Sequence, residues 1–308
     1  MTEYLRNEDR EEYVRFCKHQ LKSFGAPLPA EVWHYTDATG LIEILKTGHI
    51  FATQVSCLND NLEQKYLGEL VLAELKKQRA SNHDPNLKIL FDKAVDGLEN
   101  LDLSPNANFV TCFSRAEDDL GQWRGYGGGE CGYAIGFNPN GIIEALKNKN
   151  ALLLPMHYES TSHTFVVQEI VTWAQNYFMA GVQRGLDDIP RWADTFLEAY
   201  SKAIEILSCI VKHPKFSGEA EHRILKPLMA GDETNVEVRQ KRTLLARHLP
   251  LDLRIPTANG SVKLPITKIY VGPGPNKQVS RISVSVLLRK YGYQDIPVEL
   301  STVPYRLP

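Results

Sequence analysis

The 308-residue chain carries almost no net charge: 35 lysines and arginines stand against 37 aspartates and glutamates, a formal balance of −2. A balance of that kind does not draw the whole molecule to a nucleic-acid backbone or an anionic membrane, although it leaves room for a local basic patch. Long apolar runs are missing as well. None approaches the roughly eighteen residues that cross a bilayer, and the stretch from Met1 to Arg10 is too charged for a secretory leader, so the expected location is the cytoplasm, with no membrane partner. Cysteine is sparse. Cys17, Cys57, Cys112, Cys131 and Cys209 are odd in number, scattered and without a C-x-x-C pair, which reads as reduced core or strand residues, not a disulfide frame or metal cluster. There is no G-x-S-x-G elbow, no phosphate-cradling G-x-x-x-x-G-K-S/T loop, no H-E-x-x-H helix and no kinase signature set. Gly127 to Gly129 do not open a helix after a strand as a dinucleotide fingerprint would, and His213 and His222 are too isolated to argue for zinc.

What is present is an ordinary globular composition, 43% hydrophobic and 23% charged, in a chain long enough to bury a large core. The chain reads as a single domain, 1–308, organised around Glu31 to Thr53. Val32 to Tyr35 are β-branched, aromatic or imidazole residues and predict a strand. Asp37 or Thr39 can cap a helix whose apolar face is Leu41, Ile44 and Leu45, and Gly48 closes it before His49 to Thr53 becomes extended again. His34, Tyr35 and Thr36 then stand at the end of a strand just before a helix N-terminus, a position where polar groups commonly meet a ligand.

Helical segments are expected over 62–98 and 161–210, the second broken between Gly185 and Pro190, and both packed on or inserted into a sheet core. Phe109 to Ser114 and Gly132 to Phe137 alternate like strands. Between them carboxylates, Trp123, Arg124 and Tyr126 crowd a short segment, an unusual content for a plain connection. Arg124 can bind a phosphate bidentately or neutralise Glu117, Asp118 and Asp119. Glu219 to Leu225 predicts a late strand with Ala220, His222 and Ile224 on one face and Glu219, Glu221 and Arg223 on the other. Two carboxylates and an arginine sharing a strand face must be solvated, paired or catalytic. Lys212, Lys215, Arg239, Lys241 and Arg242 read as a solvated face and not as a nucleic-acid groove.

These residues carry two resemblances. Trp33-His34-Tyr35-Thr36, Asn59-Asp60, Phe113-Ser114 followed by Gln122-Trp123 and Tyr126-Gly127, Glu219 to Arg223, Gly272-Pro273 and Pro304 to Arg306 resemble, over nearly the full length, a bacterial family of unknown function. His34-x-Thr36 followed by Gly40-Leu-Ile-x-Ile-Leu-x-x-Gly48-x-Ile50 is similar to the first strand and helix of the ADP-ribosyltransferases. That second resemblance implies an α+β fold with a split, mostly antiparallel sheet. It implies NAD as substrate, with ADP-ribosyl transfer to an unknown acceptor or NAD glycohydrolysis, in the setting of a bacterial effector or antiphage defence. It would give His34 the ribose, Thr36 the carboxamide and Glu221 or Glu219 the catalytic role, without a metal, with Ser114 and Tyr126 along a second motif. Tyr35, where the transferases commonly have glycine, and the Trp123-Arg124 segment are departures. A competing expectation is a non-enzymatic nucleotide-sensing or protein-interaction module on a degenerate transferase fold. The two differ in whether His34, Ser114 and Glu221 surround one site.

Overall fold

The computed structural model describes residues 7–23, 27–58, 63–100, 107–127, 132–185, 188–228, 232–241 and 244–304. Asn59-Asp60, Gly128-Gly129, Cys131, Arg242 and Tyr305-Arg306 of the sequence motifs lie outside them. In chain order the elements begin α1 (Asn7–Ser23), β1 (Val32–Thr36), α2 (Ala38–Thr47), β2 (His49–Gln54), α3 (Glu63–Ser81), α4 (Pro85–Glu99) and β3 (Asn108–Ser114). They continue with α5 (Leu120–Tyr126), β4 (Tyr133–Phe137), α6 (Pro139–Leu146), β5 (Leu152–Pro155), α7 (Ser160–Gln183), α8 (Ile189–Ser208) and β6 (Glu221–Pro227). The last are β7 (Glu237–Lys241), β8 (Leu244–Asp252), β9 (Ile255–Pro256), β10 (Val262–Lys263), β11 (Ile266–Val271), α9 (Lys277–Lys290) and β12 (Val298–Leu300). No described helix is long and apolar enough to cross a membrane.

The chain forms two compact units, each assembled from three separate stretches. One comprises Ala26–Gln54, Phe109–Met156 and Phe216–Pro308. It holds a mostly antiparallel, open, ten-stranded sheet with the order β12-β11-β4-β1-β3-β2-β8-β7, to which β6 joins beside β3 and β5 beside β6. Strand β3 is shared among neighbours: Ser114 at its end faces Trp33 of β1, Val110 and Phe109 near its start face Thr53 and Gln54 of β2, and β6 pairs with it too. One face of this sheet carries a single apolar core. Val32, Phe113, Ile135, Phe137, Ile50, Leu251, Ile269 and Ile224 belong to it, together with Leu41, Ile44 and Leu45 of α2. The reverse face of β1 carries Trp33 and Tyr35, clustered with Trp123, Ala134 and Tyr270.

The other unit, Met1–Gly25, Val55–Asn108 and His157–Lys215, contains α1, α3, α4, α7 and α8, and therefore both helical segments expected from the sequence. Its core is aromatic: Trp192 and Phe196 of α8 and Phe178 of α7 are fully buried, and the Trp192 indole donates to the Phe178 carbonyl at 3.1 Å.

Candidate functional site

The end of β1 is built by two local devices. Asp37 accepts from the Gly40 amide at 2.7 Å and starts α2, while Gly48, at φ +73°, ends it. Gly40 is needed for a further reason: a β-carbon there would stand 2.0 Å from Thr36 Oγ1, so the threonine hydroxyl fills that space. On the core face of β1, His34 Nδ1 lies 3.0 Å from the Cys112 carbonyl and the ring packs 5.7 Å from Phe113. A carbonyl accepts only, so Nδ1 carries the proton and Nε2 is left as an acceptor. His34 is partly buried. Desolvation lowers the His34 pKa against the opposing effect of the Cys112 bond, which favours the neutral ring.

Tyr35 points the other way, into the cluster with Trp33, and the two rings Tyr35 and Trp123 meet edge to face at 4.7 Å. Its hydroxyl donates to the Ala116 carbonyl at 2.7 Å and accepts from the Asp119 amide at 3.2 Å, and burial pushes its pKa up. Asp119 caps α5 by accepting from the Gln122 amide. Asp118 gathers the Trp123 indole at 2.8 Å, the Ser301 hydroxyl at 2.6 Å, and the Thr302 amide and hydroxyl at 2.8 and 3.0 Å. The crowded segment between β3 and β4 is thus a short helix tied to β1 and to the chain end. Arg124 and Tyr126 are exposed on it.

Ser114 donates to the Glu219 carbonyl at 2.8 Å, and Gln122 Nε2 to the same oxygen at 3.4 Å. Glu219 ends a short 3-10 turn, Pro214–Glu219, and the next residue, Ala220, adopts φ +46°. The late strand therefore starts at Glu221, and Glu219 is not part of it as the sequence pattern suggested: the left-handed residue between them breaks the alternation. Within β6, Ile224 lies in the core shared with Val32, so the period of two turns His222 to that face and Glu221 and Arg223 to the reverse. The Glu221 carboxylate accepts Arg223 Nε and Nη2, each at 3.0 Å, with both side chains buried.

Of the sequence candidates, the structure brings His34 and Thr36 together on one face of β1. It gathers Tyr35, Trp123 and, through Glu219, Ser114 into a framework on the other, and it turns Glu221 away from the His34 face. Two participants escaped sequence reasoning. Phe113 was read only as a motif residue of an alternating strand and not as a neighbour of His34, and Asp118 only as one of three acids that Arg124 could neutralise. Among the described residues no group of His, Cys, Asp or Glu is arranged to hold a metal.

The chain is an α+β protein with a mostly antiparallel open sheet. More particularly, the signature of a protein family of unknown function, DUF2971, matches residues 122–224. That third of the chain contains the Gln122-Trp123 and Glu219 to Arg223 motifs but neither Trp33 to Thr36 nor Gly272-Pro273. No curated protein and no solved structure matches the chain.

Proposed function

We propose that the protein is a nucleotide-binding module on a sheet of the ADP-ribosyltransferase type, in which His34 and Thr36 receive the ribose and carboxamide of NAD or a related nucleotide. One observation carries this reading: Nδ1 of His34 donates to the Cys112 carbonyl, which leaves Nε2 as the acceptor for a ribose hydroxyl, and burial favours the neutral ring. Thr36, two residues on, offers a hydroxyl from the same face.

The transferase expectation needs a carboxylate beside the sugar carbon to stabilise an oxocarbenium-like state. Glu221 is turned to the opposite face and held bidentately by Arg223, which favours the non-enzymatic alternative. Isothermal titration with NAD, run beside an assay for free nicotinamide, separates the two. Binding lost in His34→Ala, without nicotinamide release by the wild type, is the expected result. Release abolished in a folded Glu221→Gln variant would restore the transferase reading, and no binding at millimolar NAD would overturn both.

A further inference from the structure

A groove of about 390 Å³ runs between α1 and α7 in the helical unit, lined by Phe16, Trp173 and Tyr177 and flanked by Glu12 and Glu169. Its volume falls within the range of ordinary small-ligand sites, roughly 300–1,000 Å³. The aromatic wall is ordered: Phe16 and Trp173 stack with centroids 4.5 Å apart and planes 10° apart, and Trp173 stacks on Tyr177 at 5.9 Å and 13°. Among the described residues no lysine or arginine lines the groove; His19 does, beside the two carboxylates. Glu12 is partly answered by the exposed Arg15, at 3.4 Å. Glu169 accepts from Gln20 Nε2 at 3.1 Å, which orients both groups.

Two polar atoms at this site lack partners. Gln20 is 2% exposed and its Oε1 has none, nor has the Trp173 indole nitrogen. Both atoms are buried, so they lie behind the surface of the groove. The aromatic surface that remains open to the groove and the two carboxylates together attract a cation, more strongly as it is desolvated.

We propose that this groove is a binding site for a small organic cation, an alkylammonium held between the aromatic wall and the two carboxylates. The probe is choline, titrated into the full chain and followed by tryptophan fluorescence and calorimetry, against its uncharged carbon isostere. The expected result is a saturable change with choline, none with the isostere, and at least about a tenfold weaker Kd in Glu169→Gln, whose far-UV spectrum matches the wild type. Equal binding of the isostere, an unchanged Kd in Glu169→Gln, or no saturation by about 10 mM, where a complex would be worth less than about 3 kcal/mol, would each overturn the site. Glu12→Gln, on the opposite wall, serves as a second variant and should weaken binding in the same direction.

Discussion

At the scale of single residues, charge state decides what each group can do. If His34 Nε2 accepts from a nucleotide, binding should hold at neutral pH and weaken only in acid, below the ordinary imidazole range because burial lowers the pKa, since a protonated ring has no acceptor left. Calorimetric titration across that range reads it, and a pH-independent affinity would remove His34 from contact. Asp118 behaves oppositely. Burial pushes its pKa up, but hydrogen bonds from Ser301, Thr302 and Trp123 together hold it below the ordinary carboxylate value. A depressed carboxylate contributes stability above its unfolded pKa, near 4, and loses it as pH falls through the folded value. Asp118→Asn should therefore destabilise the fold by about 1–3 kcal/mol at neutral pH, and the gap from wild type in urea unfolding should shrink towards pH 2.

At the scale of elements, β6 makes a similar point with two charges. Removing one partner of the buried Glu221–Arg223 pair should cost about 3–5 kcal/mol, whereas replacing both with apolar residues of like volume, as in Glu221→Leu with Arg223→Met, should cost much less. Thermal melts of the three variants test this. If the single change proved harmless, the carboxylate would be free for other work. Helix α2 adds a steric case: Gly40→Ala should destabilise through the clash with Thr36 Oγ1, and Thr36→Ala in the same chain should recover part of the loss.

These elements were unevenly legible. Periodicity and caps gave β1, α2, β3, β4, α7 and α8 within a few residues, because each buries one face or a fully apolar run. Strand β7 was not visible: Glu237 to Lys241 is an edge strand with no buried face, so its sequence carries no alternation. Ser114 was singled out as a candidate ligand group, and its hydroxyl instead holds a backbone carbonyl from 105 residues away, a contact that no local pattern encodes.

At the scale of the molecule, the chain leaves the sheet unit and returns to it at places where strands lie side by side. Gln54 is paired with Phe109 across β2 and β3, and the intervening stretch Val55–Asn108 belongs to the helical unit. Pro155 is paired with His222 across β5 and β6, and His157–Lys215 leaves there in the same way. Replacing 55–108 by an Asn-Gly turn should therefore keep β2 and β3 in register, since a two-residue loop of that kind joins antiparallel partners. Amide exchange protection in β2 and β3 of the shortened chain is the measurement, and its loss would mean that the helices hold the pairing.

The same arrangement has a consequence for the order of folding. Strands β2 and β3 are neighbours in space yet separated in sequence by two helices, so direct pairing must first close a long loop. Helices α3 and α4 are adjacent in sequence and pack on each other, so they can form quickly and locally. Once formed, they shorten the loop that the strands must close. The helical unit then works as a kinetic clamp, and destabilising α3–α4 packing should slow formation of the β2–β3 pair more than it speeds its loss.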